Sequence, residues 1–279
     1  MQQKRVLTIQ DISCVGRCSL TVALPVISAA GIETSILPTA VLSTHTGGFT
    51  GYTYRDLTED IPAIVTHWKS LGLTFDAIYT GYLGSFEQLN LVSGIFDTFG
   101  TKDNFIVVDP AMADNGQLYG GFSEDFPKGM AKLCAKADII VPNLTEAAFM
   151  LGEPYRETYD VHYIENLLHK LHSLGCKNVV LTGVSLESSK LGIATFDGKI
   201  VSYYFKNCID GYFHGTGDLY ASTLVAAKLV RGSLQEAAEI AVDFTVASIN
   251  ATLSSDRERK YGVNFESGVP LLLRRLGLI

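Results

Sequence analysis

Short apolar runs bounded by glycine, proline or polar residues alternate with longer stretches of helical period along most of the chain. Arg5–Gln10 reads as a strand and Asp11–Arg17 as a loop. An amphipathic helix follows to about Ala30, bent by Pro25 and ended by Gly31. Ile32–Leu37 and Ala40–Leu42 read as short strands broken by Pro38, and Ser43–Gly48 as a loop. Helices are expected over Ile61–Leu71, Ser85–Phe99, Glu124–Ala135, Leu144–Leu151 and Val161–Leu174. Strands are expected at Ala77–Tyr79, Phe105–Val108, Asp138–Val141 and Asn178–Leu181. Leu191–Phe196 and Ile200–Phe205, joined by Asp197-Gly198-Lys199, form a predicted hairpin. A helix starts at Gly217, another covers Leu234–Leu253, and a short apolar segment follows.

Strands alternating with helices predict an α/β fold, a mainly parallel central sheet with helices on both faces. No repeat or Pro/Ser-rich linker divides the sequence, so a single domain over 1–279 is expected. In such sheets ligands bind beyond the carboxyl ends of the strands. The residues there are Asp11, Tyr82, Asp109, Asn143 and Thr182, mostly polar and including two carboxylates.

A chain of 279 residues, 47% hydrophobic, can bury a large core without staples. The formal net charge of -7 argues against nucleic acid as the main partner. Arg257, Arg259 and Lys260 are basic but mixed with acids, as in a solvated loop. No apolar run reaches the roughly 18 residues of a membrane span. The first residues show no secretory signal, and the five cysteines read as reduced thiols, so a cytoplasmic location is expected. Cys14 and Cys18 lack the second pair of ligands that a metal site would need. His162, His169 and His172 share a helix and read as a solvated face.

The stretch richest in chemistry is His214-Gly215-Thr216-Gly217-Asp218, just before an apolar helical run. Glycines on both sides of Thr216 let backbone amides turn inward at a helix N-terminus, where an anion is favoured. Asp218 there is either a helix-capping acid or a base beside an anion hole. The second arrangement suits phosphoryl transfer to a hydroxyl, since the base takes the alcohol proton and the amides hold the developing charge. Neither a Walker pattern nor an early G-x-G-x-x-G is present. Asp109 and Glu146 follow separate strands; facing triphosphate oxygens they would require a cation, and Mg²⁺ fits. Glu146 is equally readable as a first-turn helix acid.

Seven segments in order carry a family resemblance over nearly the whole chain: VLTIQD at 6–11, STHTG at 43–47, TGYLGS at 80–85, VVDPAMAD at 107–114, VPNLTEA at 141–147, VVLTG at 179–183 and GTGDL at 215–219. The chain resembles the vitamin B6 (pyridoxal/pyridoxamine) kinases of the ribokinase-like superfamily. That resemblance implies a homodimer that moves the ATP γ-phosphate to the 5′-hydroxyl of a pyridine alcohol. It implies Asp218 as base, with Gly215, Thr216 and Gly217 forming the anion hole. Asp109 and Glu146 would serve the metal and the phosphates, and Asn143 and Thr182 would touch ATP. Thr46, Tyr82 and Asp11 would face the vitamin, with the segment 44–53 closing over it.

The chain departs from the family pattern twice. Asp11 stands where these kinases usually carry Ser, which bears on vitamer preference. Val141 stands where Thr is common, which bears on whether a monovalent cation joins Mg²⁺ and ATP. His45 belongs to a matching segment or simply packs its loop, and His214 lies beside the anion hole. A hydroxymethylpyrimidine kinase of the same superfamily is the nearest rival reading. A non-catalytic B6-binding protein is a rival of another class, though storage needs neither base nor metal carboxylates.

Overall fold

The computed structural model describes residues 3–256 and 258–279, so Arg257 lies outside the described residues. The chain divides into two compact units, Met1–Gly81 with Asp210–Ile279, and Tyr82–Ile209.

The first unit contains β1 (Arg5–Val15), α1 (Leu20–Ala29), β2 (Glu33–Thr44), β3 (Tyr54–Asp56), α2 (Ile61–Ser70) and β4 (Ala77–Thr80). Its strands run in the order β4-β1-β2-β3, with β1 parallel to both neighbours and β3 antiparallel. Two expectations are corrected. β1 continues through the predicted loop to Val15, and β2 passes through Pro38. The register of β1 on β2 slips between Gln10 and Ile12, with Pro38 opposite Gln10. A proline cannot donate to a ladder, but it is tolerated beside a bulge. The bulge takes Asp11 out of the regular pairing.

Val6, Leu7, Ile9, Leu37 and Ile78 are fully buried in this sheet, as are Val22, Ala23, Val26 and Ile27 of α1, which packs on β1 and β2. The second unit supplies α3 (Phe86–Phe99), β5 (Phe105–Val108), β6 (Ala113–Asp114), β7 (Gln117–Leu118), α4 (Phe126–Cys134) and β8 (Ile139–Ile140). It continues with α5 (Leu144–Met150), α6 (Val161–His172), β9 (Asn178–Val184), β10 (Lys190–Phe196) and β11 (Val201–Asn207). β5, β8 and β9 are parallel, and β10 and β11 extend them antiparallel, so the hairpin matches its expected span closely. The ribbon β6–β7 was not expected, yet Asn115 and Gly116 (φ 49° and 74°) make the two-residue turn that Asn-Gly favours.

The chain then returns to the first unit with α7 (Thr216–Arg231), α8 (Leu234–Leu253) and α9 (Val269–Leu276). α7 packs on α1 and α8, with Leu219, Ala221, Leu224 and Val225 fully buried. α8 starts at Ser233, whose hydroxyl accepts the Glu236 N–H at 3.3 Å. The fold is therefore α/β with a mainly parallel sheet. No helix among the described residues is long and apolar enough to cross a membrane.

Candidate active site

In the first unit the site is built on the turn that starts α7. Gly215 is its N-cap at φ 73°, and a Cβ there would drive into the Arg17 carbonyl oxygen. That position needs glycine to fold. Gly217 differs: its backbone is ordinary, and a Cβ there would meet nothing within 4 Å. An alanine in the first turn of a helix would stabilise it by up to about 1 kcal/mol, so folding alone gives no reason for this glycine. The Thr216 hydroxyl is turned back onto the Phe213 carbonyl at 3.1 Å.

Asp218 follows as the third residue of α7, with only part of its surface reaching solvent. Burial pushes its carboxyl up to about 7, against a hydrogen bond from the Ser19 backbone N–H, and the charge of Asp11 adds to the rise. Asp11 is 5% exposed. Its oxygens accept the hydroxyls of Ser19 at 2.6 Å and Ser13 at 3.1 Å. Burial raises its pKa, opposed by Ser19, Ser13, its own backbone N–H and the charge of His45. Ser19 thus touches both carboxylates. Its backbone is unusual for a non-glycine residue (φ 53°, ψ -129°), a conformation costing on the order of 1–3 kcal/mol. The neighbouring Cys18 is buried, and burial with the charges of Asp218 and Asp11 keeps it a neutral thiol.

A ring cluster adjoins these acids. His45 lies 5.0 Å from Phe49 and 5.2 Å from His214 between centroids. His45 Nε2 is 2.7 Å from the Lys260 carbonyl, so it carries the proton there and leaves Nδ1 as the acceptor in the neutral ring. Burial lowers the pKa of both histidines. A Cβ on Gly47 would come 2.6 Å from His214 Nδ1, so the loop after β2 can lie on that ring only with glycine at 47. Thr46 in this loop is exposed.

The second unit holds the other predicted residues. Asn143 caps α5 by accepting the Glu146 N–H at 3.0 Å, while Glu146 accepts the Asn143 N–H at 2.9 Å. The same Glu146 carboxylate accepts the Met112 N–H at 3.1 Å. Burial nonetheless pushes it up to about 8, against backbone hydrogen bonds from Asn143, Met112 and Ala113; the charge of Asp114 adds to the rise. Glu146 is therefore a capping acid in geometry, and a buried carboxylate short of positive charge. Asp109, 7% exposed, follows β5. Both acids act electrostatically on the buried Cys134 thiol, which places them in one neighbourhood. The Asn143 amide also donates to the Ala113 carbonyl at 2.8 Å, leaving one of its hydrogens for a ligand. Thr182 is bridged to Asn143 across β8 and β9, and its hydroxyl faces the Pro142 carbonyl at 3.3 Å. The Tyr82 ring is 5.6 Å from Phe122, which stacks on Phe126.

The sequence profile of phosphomethylpyrimidine kinase matches residues 24–263. The chain belongs to the phosphomethylpyrimidine kinase family. It is 31% identical to a pyridoxal kinase from Lactobacillus plantarum, whose structure superposes with a TM-score of 0.90 over 98% of both chains. A Bacteroides thetaiotaomicron protein, provisionally assigned as a phosphomethylpyrimidine kinase and crystallised with pyridoxal, is 35% identical with a TM-score of 0.92; the match covers 97% of this chain and 96% of that one. A Dictyostelium discoideum pyridoxal kinase is 26% identical over 287 residues, 93% of this chain and 92% of its own. The protein is an ATP-dependent kinase that acts on an alcohol group.

The kinase assembles Asp11 with Asp218, and Asn143 with Glu146 and Thr182. Sequence reasoning missed Ser19. Its available signal was a serine just before the apolar run of α1, in the position of a helix cap. No side-chain cap forms at α1, because the hydroxyl is turned to Asp11 instead.

Proposed function

We propose that this kinase phosphorylates the 5′-hydroxyl of a vitamin B6 alcohol (pyridoxal, pyridoxamine or pyridoxine), its two units acting as one kinase domain. The observation that carries the reading is the pairing of Gly217 with Asp218: a glycine whose open face the fold does not need, next to a carboxyl shifted to about 7. A general base is most effective when its pKa lies near the working pH. Asp218 would orient the hydroxyl and take its proton, while the amides of Gly215, Thr216 and Gly217 hold the charge developing on the phosphoryl oxygens. Thr46, Tyr82 and the loop after β2 would contact the pyridine ring and keep water out.

Asn143 would contact ATP through the amide hydrogen that it still offers, and Thr182 through its hydroxyl on turning away from the Pro142 carbonyl. Asp109 and Glu146 fit a cation site, since a carboxyl raised to about 8 by burial lacks a countercharge. Bound Mg²⁺ would neutralise phosphate charge during transfer. We also read the enzyme as a homodimer, on the resemblance alone, and as cytoplasmic, in keeping with its five free thiols.

Phosphorylation of hydroxymethylpyrimidine is the second reading. It is favoured by the family profile and by an Aquifex aeolicus hydroxymethylpyrimidine/phosphomethylpyrimidine kinase 28% identical over 188 residues, 66% of this chain and 69% of its own. The His45-containing STHTG segment and the pyridoxal-bound relative favour the pyridine alcohol. A coupled assay of ADP release, run on pyridoxal, pyridoxamine, pyridoxine and hydroxymethylpyrimidine, separates them. A higher kcat/KM for hydroxymethylpyrimidine than for every pyridine alcohol would overturn the B6 assignment. Tight binding of pyridoxal with no ADP release would make the protein a carrier.

A further inference from the structure

We infer that Ser19 is a positioning residue spanning two carboxylates, so that Asp11 adds to the proton affinity of Asp218 instead of binding substrate. The inference rests on Asp218 being the base. Both oxygens of Asp11 are already taken by hydroxyl donors, Ser19 at 2.6 Å and Ser13 at 3.1 Å, and the group is 5% exposed. Such a carboxylate keeps spare lone pairs but almost no open surface from which to meet an incoming amine or ring nitrogen. The two hydroxyl donors oppose the rise in pKa that burial imposes on Asp11. Its carboxylate form favours the protonated state of Asp218, on top of the rise there from burial.

Ser19 makes the link. Its hydroxyl goes to Asp11 and its backbone N–H to Asp218. Its backbone lies where glycine would be comfortable (φ 53°), yet a side chain is kept. The hydroxyl is what glycine could not supply, and its one hydrogen is used on Asp11. Asp11 lies where β1 and β2 lose register, one residue of β1 facing two of β2, and the isolated bridge between Ile12 and Ser19 ties the two segments together.

The other groups around the pair leave Asp11 as the dominant charge. Cys18, from the segment before α1, is a neutral thiol. Arg17 faces Gly215 through its carbonyl, while its guanidinium is engaged by Glu266 at 2.6 Å. His45, after β2, and His214, before α7, are both biased towards the neutral ring. Lys260 is directed to Glu258.

The test is the dependence of kcat/KM on pH for wild type, Asp11→Asn, Ser19→Gly and Asp218→Asn, with pyridoxal and ATP at saturating Mg²⁺. Asp11→Asn keeps the acceptor for Ser19 and removes the charge. Its rising limb is expected to move down by roughly one pH unit, so that activity on the acid side rises roughly tenfold with little change in the KM for pyridoxal. Ser19→Gly withdraws one donor from Asp11 and is expected to move the limb the same way by less. Asp11→Ser replaces Asp11→Asn if the latter does not fold, with the same expected shift. An unmoved limb in the Asp11 variant, or in Ser19→Gly, overturns the inference, as does a raised KM for pyridoxal at an unchanged limb, which would return Asp11 to the substrate. The reading of Asp218 fails separately: the limb would then persist in Asp218→Asn at near-native kcat.

Discussion

Replacing Asp218 by Asn removes a charge that the fold holds unfavourably. Its carboxyl titrates at about 7 in the folded protein and at 3.8 ordinarily. A raised carboxyl pKa stabilises the fold fully below the unfolded value, and this contribution is lost as pH rises through the folded one. The whole shift is worth about 4 kcal/mol at roughly 1.4 kcal/mol per unit. The unfolded carboxyl is already ionised at pH 5, so more than a third of that loss has occurred there, leaving about 2.5 kcal/mol between pH 5 and pH 8. Allowing for the partial solvent access of Asp218, the Asn variant should gain about 2 kcal/mol on wild type over this interval. Urea unfolding at both pH values measures it. Trp68, the single tryptophan, lies on α2 of the same unit and gives the fluorescence signal. The same variant should lose roughly two to four orders of magnitude in kcat. A stability difference equal at pH 5 and pH 8 would refute the buried-charge argument. A widening difference with near-native kcat would leave the environment correct and the base assignment wrong.

Gly217→Ala should fold as well as wild type or up to about 1 kcal/mol better, while kcat falls at least about tenfold as the methyl group occupies the anion hole; unchanged turnover would show that the open face is unused. Gly215→Ala should lose more than about 2 kcal/mol, since both its φ of 73° and the Arg17 carbonyl oppose a side chain, and thermal unfolding reads this directly. Glu146→Gln removes the charge and keeps one acceptor, while its NH2 faces the other backbone N–H, so stability should fall by about 1–3 kcal/mol and the Mg²⁺ concentration for half-maximal rate should rise on the order of tenfold. An unchanged Mg²⁺ titration would leave Glu146 a capping acid only.

Elements whose boundaries rest on local chemistry were legible in the sequence. The helix expected over Leu234–Leu253 has those bounds, its start fixed by Ser233 on the Glu236 N–H, and the β10–β11 hairpin follows its Asp197-Gly198-Lys199 turn. β2 was not, because Pro38 reads as a break unless the bulge directly after it is known, and that bulge shows only in the pairing with β1. The β6–β7 ribbon was announced by Asn115-Gly116 but flanked by strands too short for an alternating pattern. In the site, Gly215 and Asp218 were visible because their chemistry is adjacent in sequence. The bridge through Ser19 was not, since it joins a strand bulge, an irregular helix start and a helix some two hundred residues later. Glu146 was left open between cap and metal carboxylate, and its geometry supports the first without opposing the second.

The first unit is assembled from two separated stretches of chain, with Tyr82–Ile209 running between them. During synthesis this gives the two acids different histories. Asp11 leaves the ribosome early, with β1 and β2, whereas α7 and α8, which cover the same core, come only after residue 210. At about 5–20 residues per second that is a wait of roughly ten to forty seconds. Over that time the apolar face of β1 and α1 lacks its final cover, while the intervening stretch has all its strands available as soon as β11 is made. The nascent enzyme is therefore most exposed to aggregation in the half that carries its base, and conditions that slow translation between residues 81 and 210 should lower the soluble yield more than equal delays after 231.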